Sequence, residues 1–241
     1  MGEEFCWEKL SPSLFICVSS AHKFGTDAFL LSDFAAPRRK DLCCDLGTGC
    51  GIIPLLWFRD DPPRLCYGAD IQKQAIEQLE QSIQKNGLKN RFIPLLTDLK
   101  ELSSLPCGPL DLVTCNPPYK AQGSGILSET DAERIARHEV LCTIEDVCQA
   151  ASRLLRFGGR LCLCQRPERL CDTLCAMRSA GIEPKRVRFV QQRPASAPWL
   201  FLVEGKKGSK PYMTVEPPLL VEGEGGFSQE ILRIYHKKEN L

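Results

Sequence analysis

The chain has 241 residues, of which 43% are hydrophobic and 25% are charged, a composition typical of one globular α/β domain. The net charge of only +1 excludes a protein that is strongly basic or acidic throughout. No apolar stretch reaches the ~18 residues of a membrane-spanning helix, and the first ten residues contain three glutamates, unlike a secretory signal. We therefore expect a cytoplasmic protein without membrane contact. The expected domain spans residues 1–241, with an N-terminal arm and helix in residues 1–35 and a core with a short C-terminal extension in residues 36–241.

The predicted elements alternate between strands and helices. Either a short β-hairpin or an extended arm is expected around residues 11–17. Thr26 and Asp27 predict the N-cap of a helix, and Phe157-Gly158-Gly159 predicts a turn. Strands are predicted from residue 42 and at 65–69, 92–96, 111–115, 160–164, 187–191 and 200–204, and helices at 52–58, 73–85, 143–156 and 168–179. This alternation predicts a mostly parallel sheet with helices on both faces.

The first core strand runs into Asp45-x-Gly47-x-Gly49-x-Gly51. Glycines at 47 and 49 permit a tight turn with positive φ, and they let a ligand approach the backbone. The spacing differs from the G-x-G-x-x-G turn that seats a pyrophosphate. Asp45 would repel an anion and attract a cationic ligand, so we expect a positively charged group here.

Acidic residues also follow the next two strands. Asp70 ends the second strand, where a carboxylate can accept hydrogen bonds from both hydroxyls of a ribose. Thr97-Asp98 follows the third strand, in a position to accept from an adenine amino group. Because the carboxyl ends of parallel strands share one edge of the sheet, the sequence predicts a nucleoside site there.

The fourth strand is followed by Asn116-Pro117-Pro118-Tyr119. The two prolines fix φ and prevent the strand or a helix from continuing. The side-chain oxygen of Asn116 and the carbonyl of Pro117 can then accept both hydrogens of a planar amino group, on which Tyr119 can stack. The alternative is a proline-rich turn, which the glycine motif upstream makes less favoured.

Charge is distributed unevenly along the chain. Residues 1–150 contain 15 Lys and Arg against 21 Asp and Glu, whereas residues 151–241 contain 16 against 9. The basic second half favours binding to a polyanion such as RNA. The alternative interpretation is that these basic residues only lie on solvated helix faces and strand edges and bind no polyanion.

The fourteen cysteines are unusually many. The nearest groupings are Cys43-Cys44, Cys162-x-Cys164 and Cys171-x3-Cys175, which are not typical of a metal site. We expect the first two groupings to alternate between the faces of the sheet, and most cysteines to serve as small core residues. No metal and no disulfide framework is expected.

With these motifs, the chain resembles class I S-adenosylmethionine-dependent methyltransferases of the N-P-P-Y group, from about His22 to Tyr235. More narrowly, it is similar to bacterial enzymes that methylate the N6 amine of adenine 37 in a valine tRNA. The narrower resemblance lies in residues 22–31, 137–139 and 217–221. It implies a Rossmann-like, seven-stranded, mostly parallel sheet whose last strand is antiparallel.

The resemblance also implies a set of site residues. S-adenosylmethionine, released as S-adenosylhomocysteine, is expected against Phe24, Gly25, Thr26, Asp27, Asp45, Gly47, Thr48, Gly49, Gly51, Asp70, Ile71, Asp98, Leu99 and Asn116, with residues 22–31 forming a lid. Catalysis is expected at Asn116, Pro117, Pro118 and Tyr119. Contacts to tRNA or another structured RNA are expected from Lys120, Arg137, Arg166, Arg193, Lys206 and Lys207, and no stable protein partner is expected.

Three alternatives remain open at this point. The acceptor could be guanine N2 in ribosomal RNA or the side-chain amide of a protein glutamine, since both present a planar amino group. Glutamine enzymes usually carry an N-terminal helical domain, and only about 20 residues precede His22. A non-catalytic cofactor-binding RNA module is the third alternative, and the intact Asn116 and Tyr119 argue against it.

Overall fold

The computed structural model of the chain describes residues 5–19, 24–117 and 142–236. Its strands are β1 Cys6–Ser11, β2 Leu14–Val18, β3 Leu42–Leu46, β4 Leu65–Asp70, β5 Phe92–Leu96, β6 Leu110–Cys115, β7 Leu155–Gln165, β8 Ile182–Gln191, β9 Pro198–Lys207, β10 Thr214–Val215, β11 Leu219–Leu220, β12 Glu222–Gly223 and β13 Gly226–Phe227. Its helices are α1 Thr26–Ala35, α2 Ile52–Arg59, α3 Lys73–Lys85, α4 Ile144–Leu154, α5 Leu170–Ser179 and α6 Gln229–Tyr235, with a 3-10 turn at Pro167–Arg169.

The main sheet has the strand order β5-β4-β3-β6-β7-β9-β8. Strands β3 to β7 are parallel to one another, whereas β9 runs antiparallel to both of its neighbours, β7 and β8. The short strands β10 and β11 pair with β8 and bring the sheet to nine strands. The predicted α/β architecture with an antiparallel last core strand is confirmed.

Hydrophobic residues cover both faces of the sheet. One cluster combines the sheet with α1, α2, α3 and α6, and the other combines it with α4 and α5. Cys43 belongs to the first cluster and Cys44 to the second, as the two-residue period of a strand requires. Cys162 and Cys164 both belong to the first cluster, so our expectation that they face opposite sides was wrong: residues two apart share a face.

All fourteen cysteines are free thiols, and nine of them are buried, as expected of small core residues. In the described part of the chain, no group of three or more His, Cys, Asp or Glu side chains could hold a metal ion. No helix there is long and apolar enough to span a bilayer.

Two predicted boundaries need correction. Helix α1 begins at Thr26, but Gly25 is its N-cap and no side chain caps it. The predicted turn at residues 157–159 is part of β7, which continues directly from α4. Gly158 has φ +76° there, and a register shift between Leu110 and Leu112 of β6 accommodates the irregularity.

The C-terminal helix α6 holds α1 in place. Tyr235 stacks on Phe29 with ring centroids 4.4 Å apart, and Arg233 forms an ion pair with Asp33 at 2.7 Å. The first turn of α1 is therefore fixed above the carboxyl end of β6, where the candidate site lies.

Candidate functional site

A cleft lies at the carboxyl ends of β3 to β6 and consists of two neighbouring cavities. The first, here called the β-edge cavity, has a volume of about 260 Å³ and lies against the ends of β4, β5 and β6. The second, the lid cavity, has a volume of about 240 Å³ and lies under the first turn of α1. Both are lined by Gly47, Gly49 and Asn116, so these residues form the wall between the two halves of one cleft.

Asp70 connects the glycine turn to the β-edge cavity. Its Oδ2 accepts a hydrogen bond from the backbone N–H of Gly49 at 2.8 Å, and its Oδ1 accepts from that of Gln72 at 2.9 Å. Each carboxylate oxygen retains a further lone pair, so Asp70 can still accept from ligand hydroxyls. The carboxylate therefore fixes the turn and lines the cavity at the same time.

The outer wall of the β-edge cavity combines apolar and acidic side chains. Ile71 is 45% exposed, and both Ile71 and Leu99 line this cavity. Asp98 accepts from the backbone N–H of Lys100 at 2.8 Å. A flat group with a polar edge, such as a nucleoside base, would cover the apolar pair and reach the carboxylate.

The three glycines of the turn have different roles. Gly47 and Gly49 have φ of +69° and +54°, and a Cβ on either would project into open space. A ligand can therefore lie directly against their backbone. Gly51 lines neither cavity, and a Cβ there would lie 2.5 Å from Leu79. Gly51 has φ +83° at the N-cap of α2, a backbone conformation that favours glycine, and contrary to expectation it does not line the cleft.

Asp45 also lies outside both cavities. It is 1% exposed, and its Oδ1 accepts a hydrogen bond from the Thr114 hydroxyl at 2.6 Å. Burial raises the pKa of this carboxyl from 3.8 to about 7, although the Thr114 hydrogen bond opposes the shift. Asp45 is therefore not the exposed negative charge that we expected to attract a cationic ligand.

The lid cavity contains most of the predicted residues of the 22–31 segment. Phe24, Gly25 and Asp27 line it together with Thr48. Thr26 is absent from the lining, and its side chain instead forms a hydrogen bond with Tyr235. Asp27 thus supplies the carboxylate in this half of the cleft.

Asn116 faces both cavities from the end of β6. Its Nδ2 donates to Oδ2 of Asp27 at 3.0 Å, and its Oδ1 accepts from the thiol of Cys164 at 3.2 Å. Pro117 lines the β-edge cavity beside it. The predicted site residues Pro118, Tyr119, Lys120 and Arg137 lie outside the described residues.

Several lining residues were not predicted. Besides Thr97, which the sequence placed with Asp98, the β-edge cavity also contains Ala69, Gln72, Cys115, Cys142 and Val147. Ala69, Gln72 and Cys115 adjoin the strand ends that the sequence identified, so a wider window around each strand end would have included them. Cys142 precedes α4 and Val147 lies in its first turn, and no local sequence signal places them here.

Two of the predicted RNA-binding residues lie at the carboxyl ends of the parallel strands, the same end of the sheet as the cleft. Arg166 directly follows β7, and its Nη1 donates to the carbonyl of Trp199 at 3.1 Å. Arg193 lies in the loop between β8 and β9 and is paired with Glu222. Glu222 balances the charge of Arg193, and both arginines place a guanidinium group at this end of the sheet.

Lys206 and Lys207 lie at the opposite end of the sheet, beside the amino-terminal ends of the parallel strands. Lys206 faces Arg160 across the β7–β9 ladder, five positions from Gln165 at the cleft edge, or roughly 17 Å along the strand. The ammonium group of Lys207 donates to the carbonyl oxygens of Ser152 and Leu155. It thereby provides hydrogen-bond donors for carbonyl groups at the C-terminal end of α4. Neither lysine belongs to the cleft mouth, because β9 runs antiparallel to the strands that carry the site.

Residues 18–177 match the family model of the methyltransferase small domain. The chain belongs to this family. A tRNA1(Val) (adenine(37)-N6)-methyltransferase of Parabacteroides distasonis is 29% identical over 185 residues, covering 76% of each chain. The protein of the same name from Tolumonas auensis is 28% identical over 218 residues, covering 89% of this chain and 88% of its own length.

Among solved structures, a predicted O-methyltransferase from Agrobacterium tumefaciens superposes with a TM-score of 0.69. It is 21% identical, and the match covers 88% of this chain and 96% of the other. At this identity the likeness concerns the fold alone. The predicted membership in a methyltransferase family, and the similarity to the adenine-37 enzymes, are confirmed.

Proposed function

We propose that this protein transfers a methyl group from S-adenosylmethionine to the N6 amine of adenine 37 in a tRNA, with valine tRNA as the first candidate. The observation that carries the proposal is the position of Asn116, whose carboxamide stands at the wall between the two cavities. A cofactor in the cleft and an amine at its mouth would both lie beside this residue. The names of the two relatives give the acceptor.

The residues of the cleft fit the proposed cofactor. The β-edge cavity offers Asp70 to the ribose and Asp98 with Ile71 to the adenine, and the open backbone at Gly49 leaves room between them. The lid cavity offers the Asp27 carboxylate to the amino-acid end. When bound, S-adenosylmethionine supplies a methyl group on a positively charged sulfur.

The contribution of the chain is mainly one of positioning. The Asn116 oxygen and the Pro117 carbonyl can accept the two hydrogens of the target amine, which holds the nitrogen in place and makes its lone pair available. Positioning of this kind can supply on the order of 7–11 kcal/mol in favourable systems. A base in an anticodon loop is accessible without opening a duplex, so such a target suits an open cleft.

The decisive experiment is methylation of an unmodified valine tRNA transcript with labelled cofactor, followed by mass spectrometry of the nucleosides. We expect N6-methyladenosine, and we expect no product when adenine 37 is replaced by uridine. N2-methylguanosine would instead identify a guanine enzyme. An unmodified tRNA, together with a methylated glutamine in a protein substrate, would contradict the proposal.

Gly49→Val tests the position of the cofactor. We expect S-adenosylmethionine to bind at least about tenfold more weakly, since the added side chain would occupy the open space beside the backbone. Gly87→Val is the matched control: Gly87 also has a positive φ and open space around it, but lies at the end of α3. Calorimetry that finds equal affinities for the two variants would place the cofactor elsewhere.

Arg166→Glu tests the side on which RNA binds. We expect tRNA affinity to fall about tenfold at low salt, and the slope of log affinity against log salt to decrease by about one. Lys206→Glu carries the same change of charge at the far edge of the sheet and should alter affinity less than about twofold. Filter binding over a salt series would compare them, and a larger effect of Lys206→Glu would reverse the proposed orientation.

A further inference from the structure

The carboxamide of Asn116 is held from two sides by residues of two other elements. Asp27, in the first turn of α1, accepts from its Nδ2 at 3.0 Å. Cys164, on β7, donates its thiol hydrogen to the Oδ1 at 3.2 Å. Neither contact belongs to the N-P-P-Y segment, and both lie on the α1 side of the sheet.

The register of the sheet brings Cys164 to this place. Strands β6 and β7 are parallel, and Cys115 faces Leu163 across the ladder. The residues that follow them, Asn116 and Cys164, are therefore level with each other. Cys164 has no exposed surface, so packing fixes the position of its thiol.

Asp27 is itself anchored. Its Oδ1 accepts from the backbone N–H of Ala28 at 3.0 Å, and this leaves Oδ2 directed at Asn116. A carboxylate can only accept hydrogen bonds, so it requires the amino side of the carboxamide to face it. The Cys164 thiol on the other side is a donor, so it favours the orientation in which the carboxamide oxygen faces it.

We propose that Asp27 and Cys164 are positioning residues that fix the orientation of the Asn116 carboxamide. A carboxamide turned by half a rotation would place its oxygen against the Asp27 carboxylate. It would then present N–H groups to an amine that needs an acceptor. In the observed orientation, the Cys164 thiol selects Oδ1 as the acceptor side of the carboxamide, and an acceptor is what the target amine requires. This inference rests on the proposed function, because only an amine donor requires the oxygen.

The kinetic test compares three substitutions of buried thiols. Cys164→Val removes the donor and should lower kcat about tenfold, with the KM values for tRNA and S-adenosylmethionine within about twofold. Cys164→Ser keeps a donor and should retain at least about half of the wild-type kcat. Cys43→Val is the matched control, since Cys43 is equally buried in the same cluster but lies on β3 and lines neither cavity. If Cys164→Val does not fold, Cys164→Ala replaces it with the same expectation.

A measurement without substrate separates orientation from packing. The chain contains four asparagines, so selective ¹⁵N labelling resolves the side-chain NH₂ group of Asn116, which Asn116→Ala assigns. We expect these hydrogens to exchange slowly in the wild type and in Cys164→Ser. In Asp27→Ala and Cys164→Val they should exchange at least about tenfold faster.

The outcomes are distinguishable. If Cys164→Val has the wild-type kcat, the proposal is wrong. It is also wrong if kcat falls while the exchange rate of the Asn116 NH₂ hydrogens is unchanged, because that loss of activity would come from altered packing. If the NH₂ signal responds as expected but the wild-type protein does not methylate tRNA, the positioning role stands and the proposed function fails.

Discussion

Asn116→Ala is expected to lower kcat for methyl transfer by at least about a hundredfold, comparable to the loss of one preorganised hydrogen-bonding group at a reacting centre. The carboxamide oxygen binds the amine most strongly when its nitrogen becomes tetrahedral, so the loss falls on the chemical step rather than on binding. The affinity for S-adenosylmethionine should change only a few-fold, because Asp70 and the Gly47–Gly49 turn remain. Single-turnover assays with labelled cofactor and calorimetry measure the two effects separately.

The matched control for this experiment is Asn90→Ala. Asn90 is exposed in the turn between α3 and β5, outside both cavities. Its replacement should leave kcat and cofactor affinity unchanged. Should Asn116→Ala methylate at nearly the wild-type rate, residues 116–119 would be a structural turn, and the catalytic role assigned here to Asn116 would be wrong.

Asp45→Asn is expected to become more stable relative to the wild type as the pH rises from about 4 to about 7. Burial raises the pKa of Asp45 from 3.8 to about 7, so the folded protein retains a proton that the unfolded chain releases. Below pH 3.8 the carboxyl is protonated in both states. Above pH 7 the folded state must hold a buried charge, and the wild type is destabilised.

The size of the effect follows from the linkage between protonation and folding. Each pH unit in this interval lowers the free energy of unfolding of the wild type by about 1.4 kcal/mol, or on the order of 4 kcal/mol in total. Asparagine does not titrate, so the variant lacks this loss. Urea unfolding of both proteins at pH 4.5 and pH 8 gives the difference, and an equal difference at the two pH values would show that Asp45 is not protonated in the fold.

Much of the fold could be predicted from local patterns. Helix α3 covers residues 73–85 as predicted, because its apolar positions recur with the helical period and Asn86-Gly87 ends it. Strand β5 was also predicted at its observed bounds. The acidic and amide residues at the strand ends could be assigned to one edge, since parallel connections bring the carboxyl ends of the strands together.

The orientation of individual side chains could not be predicted in this way. Asp45 and Asp70 both follow apolar strand residues, yet Asp45 is sealed below the turn and Asp70 lines the cavity. Lys206 and Lys207 belong to the basic half of the chain, yet the antiparallel direction of β9 carries them to the far edge. Charge and motif spacing do not reveal strand direction or burial.

The sequence by itself determined the α/β class, the glycine turn and the Asn116 segment, because periodicity, glycine conformation and proline geometry act over a few neighbouring residues. Only the tertiary structure decided which residues surround Asn116. Asp27 and Cys164 are 89 and 48 positions away from it in the chain, and they reach it through the packing of α1 and the register of β6 with β7. Contacts at such separations depend on how whole elements pair and pack, and no short stretch of sequence contains that information.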